Sequence, residues 1–155
     1  MARRGLWALL LVVAVAVVGC GEEGGTGDDA VVTVYVSSPD RVLCDEAREQ
    51  ASQGKGGEEP KLRVACLDAS GPGGRWTLAQ VGANARRATE DSTAVAYVGE
   101  PDREARRQSQ PILEAAGIAT FGGADGREAV AQVRAALREA DGADPREAVL
   151  DAVEG

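Results

Sequence analysis

The sequence predicts a single α/β domain in which a mostly parallel sheet carries helices on both faces. Short runs rich in valine and alanine alternate with longer segments that have apolar residues at helical spacing. Breaks rich in glycine, proline or serine separate the two kinds of segment. Strands that alternate with helices usually pair in parallel, because each helix carries the chain back across the sheet. The length of 155 residues leaves room for one such domain.

Four short apolar segments have the composition of buried strands. They are rich in β-branched and small residues, and turn-forming residues follow each of them. The third segment is closed by its own last residue, Gly99. The predicted strands cover residues 30–36, 61–68, 94–99 and 118–121.

Five segments have the apolar spacing of helices, and several begin at a residue suited to cap a helix N-terminus. Asp102 is such a residue, Asp125 forms a capping box with Glu128, and Asp144 precedes a proline. The predicted helices run from Pro39 or Asp40 to about residue 53, over 77–91 and 103–116, and onward from Asp125 and Asp144. The residues expected to face inward are Leu43, Cys44, Ala47, Ala51, Leu78, Val81, Ala85, Ala88, Val130, Val133, Leu137, Ala140, Val149, Leu150 and Val153.

The first residues predict a targeting segment outside the fold. Arg3 and Arg4 precede an apolar run, 6–18, that is too short to span a bilayer as a mature helix. The run ends before Cys20 in a sequence that resembles the bacterial lipobox, which implies acylation of Cys20 and cleavage before it. The alternative is an ordinary secretory signal with an incidental cysteine. The lipobox reading makes 1–19 a signal peptide, 20–29 a lipidated tether and 30–155 a domain anchored on the extracytoplasmic face of a bacterial membrane.

Composition excludes several kinds of function. The formal net charge of −8 disfavours a nucleic-acid partner, which would need a basic face. The chain has no histidine, so catalysis that depends on histidine is excluded. No catalytic triad, metal-ligand set or phosphate-binding loop is recognisable. We therefore expect no enzyme activity, no cofactor and no metal.

Two further cysteines remain once Cys20 is assigned to lipid. Cys44 lies on the inward face of the first predicted helix, and Cys66 shares a strand face with Leu62 and Val64. An even pair in an oxidising compartment favours a disulfide. Two buried free thiols would occupy the same positions.

Three segments resemble the type 1 periplasmic-binding family, the leucine/isoleucine/valine-binding proteins of ABC importers. They are VTVYVSSP, GGRWTLAQVGANARRATED and AVAYVGEPD with QPILEAAGI, and the similarity spans about 31–120. The resemblance implies a Rossmann-like fold and a small ligand clamped between two lobes. Here the chain passes from the fourth strand to its last helices through 122–126, so we expect one lobe of the type 1 periplasmic-binding fold alone.

The resemblance also implies where a ligand would bind. In relatives, small residues after the third strand bind the ligand's carboxylate and amine. The aligned positions here include Glu100, Asp102, Arg103 and Ala105, with Ser37 and Ser38 after the first strand as further candidates. Arg103 could pair with a carboxylate, but a solvated charged face is the expected role of Arg103 and Arg106.

Two functions fit these expectations. The first is a lipid-anchored solute-binding component of a branched-chain amino-acid-type ABC importer. Its partners would be the membrane, an amino-acid-like ligand and an ABC permease. The second is a non-transporting interaction or structural lipoprotein that kept the fold and lost the ligand pocket.

Overall fold

The computed structural model describes residues 30–54, 60–122, 125–140 and 142–155. The predicted signal peptide, Cys20 and the tether lie outside these residues. The described strands are β1 (Val31–Ser38), β2 (Lys61–Asp68), β3 (Ala94–Gly99) and β4 (Ala119–Gly122). The described helices are α1 (Val42–Ser52), α2 (Leu78–Thr89), α3 (Arg103–Glu114), α4 (Gly126–Glu139) and α5 (Pro145–Glu154).

The strands form one all-parallel sheet in the order β2-β1-β3-β4. The chain leaves β1 for β2 on one side and returns to β3 on the other. This reversal places a topological switch point between β1 and β3, at the carboxyl ends of the strands. The α/β class, the parallel sheet and the single Rossmann-like lobe predicted from the sequence are confirmed.

One face of the sheet is covered by α1, α4 and α5. Val32, Val34 and Val36 of β1 point to this face and join a cluster with Val130 and Val133 of α4. Helix α4 packs between α1 and α5. The alternation of apolar residues along β1 therefore supplies one of two hydrophobic layers.

The opposite face is covered by α2 and α3, which pack against each other. Tyr35 and Tyr97 of the central strands lie here with Ala85 of α2 and Leu113 of α3. Helices therefore cover both faces, as the alternation of strands and helices predicts.

Cys44 of α1 and Cys66 of β2 lie at disulfide distance, with their Cα atoms 5.9 Å apart. The predicted proximity of these two residues is confirmed. A bond between them joins α1 to an edge strand whose apolar side chains are only half-buried.

Several boundaries differ from the prediction by one to three residues, and two of them have a clear local reason. Strand β1 extends through Ser37 and Ser38, because the ladder with β2 continues to Asp68. Helix α1 begins at Val42, because the Asp40 carboxylate accepts a hydrogen bond from the Val42 N–H at 3.0 Å and forms a turn before the helix.

Two residues expected to face inward are exposed. Leu78 is 47% exposed, because it is the first residue of α2 and precedes the part of that helix that lies over the sheet. Val153 is 39% exposed in the last turn of α5. The remaining inward stripes follow the predicted spacing, with Val81 and Val149 fully buried.

A glycine sets the distance between α1 and α4. A Cβ atom on Gly126 would collide with the Leu43 carbonyl oxygen and lie 3.2 Å from the Ala47 nitrogen. On Gly82, by contrast, the nearest atom would be Arg86 Nη1 at an ordinary 3.5 Å.

We therefore expect opposite effects from the same substitution at these two glycines. Gly126→Ala should lower the unfolding free energy by about 2 kcal/mol, because backbone must shift. Gly82→Ala should raise it by about 0.5–1 kcal/mol, because alanine lowers the chain entropy lost in a helix. Urea unfolding at unchanged m-value measures both. A Gly126→Ala protein as stable as the wild type would contradict the close approach.

Candidate functional site

The candidate site is the carboxyl edge of the sheet around the switch point. Ligands of open α/β sheets bind in this position, outside the carboxyl ends of the strands. Ser37 and Ser38 end β1, and Glu100 follows β3 directly. Residues predicted from two separate parts of the sequence therefore meet at one edge.

Glu100 is fully buried and is held by two hydroxyl groups. Its Oε1 accepts a hydrogen bond from the Tyr97 hydroxyl at 3.0 Å, and its Oε2 accepts one from Ser109 Oγ at 3.1 Å. Burial, and then the charge of Glu100, raises the pKa of Tyr97 far above its usual value. Tyr97 therefore remains protonated and keeps its donor. Both carboxylate oxygens are engaged within the protein.

Ser37 is also buried and joins a second set of hydrogen bonds. Asn84 Nδ2 donates to Ser37 Oγ and to the Asp68 carbonyl oxygen, each at 3.0 Å. Asn84 Oδ1 accepts from Gln80 Nε2 at 3.2 Å. These contacts tie the ends of β1 and β2 to α2. Sequence reasoning missed Asn84, although a polar residue between the inward-facing Val81 and Ala85 was a signal that could have identified it.

Ser38 helps to shape the turn into α1. Its Oγ accepts a hydrogen bond from the Asp40 N–H at 3.2 Å, and only 8% of the residue is exposed. The hydroxyl group proposed to contact a ligand is thus bonded to its own loop.

The N-terminus of α3 is capped by the chain itself. Asp102 Oδ1 accepts hydrogen bonds from the Glu104 N–H at 2.8 Å and from the Ala105 N–H at 3.3 Å. Ala105 is completely buried, whereas Arg103 is exposed. Free N–H groups in a first helical turn attract anions, and here a side-chain carboxylate already binds two of them.

Arg106 does not belong to a solvated charged face, so the prediction for this residue is wrong. It is half-buried, and its Nη1 donates to the carbonyl oxygens of Glu100 at 3.0 Å and Pro101 at 2.7 Å. Its Cδ lies so close to Gly122 that a Cβ atom there would collide with it. The side chain turns back over the end of β4 because two carbonyl oxygens of the loop accept hydrogen bonds from its guanidinium group.

Two shallow clefts flank the end of β3. A cleft of about 210 Å³ on the α1 side is lined by Ser38, Asp40, Val42, Glu46 and Pro101, among others. A cleft of about 220 Å³ on the α3 side is lined by Tyr97, Arg106, Ser109 and Phe121, among others. Both are smaller than the ~300–1,000 Å³ typical of small-molecule sites.

Within the described ranges, no three residues among histidine, cysteine, aspartate and glutamate are arranged to hold a metal ion. No helix in that part of the chain combines the length and apolar composition needed to cross a membrane.

No protein-family model, curated protein or solved structure matches this chain. The function is therefore inferred from the fold and from the contacts at the carboxyl edge of the sheet.

Proposed function

We propose that this chain is a lipid-anchored extracytoplasmic domain with the fold of a solute-binding lobe, and that its own side chains occupy the place of a solute. It acts as an interaction or structural lipoprotein on the outer side of a bacterial membrane. The observation that carries the proposal is the Asp102 carboxylate, which binds the Glu104 and Ala105 N–H groups.

A ligand carboxylate at the α3 N-terminus would have to displace Asp102. Displacement would remove a helix cap, which costs about 1 kcal/mol. The displaced carboxylate would also remain nearby and repel a second negative charge. Binding of an amino-acid carboxylate is therefore disfavoured on both counts.

The groups that could receive a ligand amine are engaged as well. Glu100 is fully buried with both oxygens bonded to Tyr97 and Ser109, and Ser37 accepts from Asn84. Opening this network would leave the buried Tyr97 hydroxyl without its acceptor, at a cost of about 1–3 kcal/mol. A single lobe would also leave one side of the ligand in water, which lowers affinity.

A solute-binding component of an amino-acid importer, with an ABC permease as its partner, is the second candidate. One observation favours it, the 210 Å³ cleft beside Ser38 and Pro101 at the switch point.

Thermal unfolding of the mature chain with leucine, isoleucine or valine separates the two candidates. A ligand at 1 mM with a Kd of about 10 μM would stabilise the protein by about 2.7 kcal/mol. We expect no saturable shift in Tm with any of the three amino acids. A saturable shift with one of them would establish the importer function instead.

Two matched variants test whether Asp102 closes the site. Asp144 caps α5 in the same way, accepting from the Arg146 and Glu147 N–H groups at 2.9 and 3.2 Å. Asp102→Ala and Asp144→Ala should each lose about 1 kcal/mol. Only Asp102→Ala frees N–H groups at the carboxyl edge, so a response to leucine in that variant alone would identify Asp102 as the closing group.

A further inference from the structure

The two faces of the domain carry opposite charge balances. The chain as a whole has a formal net charge of −8. Helices α2 and α3 together contain five arginines and two glutamates. Helices α1, α4 and α5 contain five arginines and eight acidic residues. The helices of one face therefore carry a net positive charge and those of the other face a net negative charge.

Four arginines of the positively charged face are exposed. They are Arg86, Arg87, Arg103 and Arg107, and none makes an ion pair or donates a side-chain hydrogen bond to another described residue. We call them the arginine surface.

Three arginines on the opposite face are engaged instead. Arg127 pairs with Glu49 at 2.6 Å, and Arg134 donates to carbonyl oxygens at the end of α1 at 3.2 and 2.9 Å. Arg146 donates to four backbone carbonyl oxygens, those of Asp91, Ser92, Ala94 and Ala116. These side chains stabilise the fold through hydrogen bonds and ion pairs, whereas the arginine surface makes neither with another described residue. Its charge remains available to a partner outside the domain.

Helices α2 and α3 pack closely beside Arg86. A Cβ atom on Gly82 would lie 3.5 Å from Arg86 Nη1 and 3.6 Å from Gln108 Nε2 of α3. Arg86 therefore reaches the line where the two helices meet. The exposed residues Ala79 and Ala83 of α2 are small and neutral, so they do not hold a flat partner away from the guanidinium groups.

We propose that the arginine surface lies against the anionic phospholipids of the membrane to which the chain is anchored. This inference rests on the acylation of Cys20 in the proposed function. Ten residues, 20–29, separate the acylated cysteine from the first described residue, and they span at most about 35 Å when fully extended. The anchor thus keeps the domain within reach of lipid phosphates, which guanidinium groups bind well.

The charge balance then sets the orientation of the domain. Each basic residue near an anionic bilayer raises the ratio of bilayer-bound to detached domain by about fivefold. The acidic face of α1, α4 and α5 is repelled by the same surface. The bilayer therefore holds α2 and α3 toward the membrane surface. The opposite face points away from the membrane, where partners can reach it.

Labelled, acylated full-length protein in vesicles tests this orientation. A fluorophore on Ala83→Cys reports on α2, and one on Ala131→Cys reports on an exposed position of α4. Quenching by spin-labelled headgroups is measured in vesicles with 30% phosphatidylglycerol and in pure phosphatidylcholine. We expect strong quenching only for Ala83→Cys in anionic vesicles. The quenching should be lost in 0.5 M NaCl, because salt screens the electrostatic attraction.

A pair of variants with equal loss of charge provides the control. Arg86→Gln with Arg87→Gln should reduce the ratio of bilayer-bound to detached domain at least tenfold, since two contacts are lost. Arg41→Gln with Arg48→Gln removes two exposed arginines beside the opposite face and should leave that ratio unchanged.

Three results would overturn the proposal. The first is an acylated chain whose quenching is the same in both vesicle types, or the same for both variant pairs. The second is protection of Ala83→Cys in native membranes without quenching in anionic vesicles, which would make the partner an acidic protein. The third is a mature chain whose intact mass shows no acyl group on Cys20, which would refute the anchor and the proposed function as well. The first two results leave the anchor intact.

Discussion

Replacing Glu100 with alanine is expected to lower the unfolding free energy by about 3 kcal/mol. The substitution removes the acceptor of the buried Tyr97 hydroxyl, and it leaves Ser109 Oγ with only the Arg106 carbonyl oxygen at 3.4 Å. Each orphaned polar group costs about 1–3 kcal/mol, and the lost side chain also leaves a cavity. Domains of this size have stabilities of only about 5–15 kcal/mol, so the loss is a large share.

The conservative variant separates hydrogen bonding from simple filling of space. Glu100→Gln keeps the volume and one oxygen acceptor, and the hydroxyl groups can rotate to accept from the amide. We expect it to lose about half as much stability as Glu100→Ala. Glu104→Ala, at an exposed position four residues away, should lose well under 1 kcal/mol.

Urea unfolding of the three variants at neutral pH gives the comparison. An alanine variant with wild-type stability would mean that Glu100 is not a buried acceptor. In that case its carboxylate would be free for a ligand, and the case for a closed site would fail.

Breaking the Cys44–Cys66 disulfide is the second large effect. The bond has a sequence separation of 22 residues, for which the chain-entropy relation gives about 3 kcal/mol of stabilisation. It also holds α1 against β2, the edge strand whose apolar residues are least covered. Reduction should therefore lower the urea midpoint of the wild-type protein clearly.

The double variant Cys44→Ala with Cys66→Ala serves as the matched control. It should unfold near the reduced wild type, and reducing agent should not change its midpoint. Intact mass after alkylation without reduction reports the bond directly. A gain of two alkyl groups on unreduced protein would show free thiols and refute the disulfide.

The secondary structure could be predicted closely because its signals are local. The bounds of β2 and β3 agree with the prediction, since apolar runs and turn residues define both ends. Asp102, Asp125 and Asp144 all cap helices as expected, each accepting two backbone N–H groups. Leu78 was mispredicted because spacing gives a helix face but not where the sheet beneath it ends.

The position of the candidate site also followed from the sequence. Parallel strands bring their carboxyl ends to one edge, so Ser37 and Glu100 were expected on the same edge. The structure adds that β1 and β3 are neighbours there. Whether their polar groups are available to a ligand did not follow. Asn84 lies 47 residues from Ser37 along the chain, and no local pattern links the two.

Arg106 shows the same division between local pattern and tertiary contact. Its spacing in α3 suggests an exposed charge, yet the side chain lies half-buried. Two carbonyl oxygens accept its hydrogen bonds, and Gly122, which has no Cβ, leaves room for it. Strands, helices and caps arise from interactions over a few residues, which a linear sequence displays. Closure of the crevice depends on donors and acceptors from separate elements, and only the packed domain brings them together.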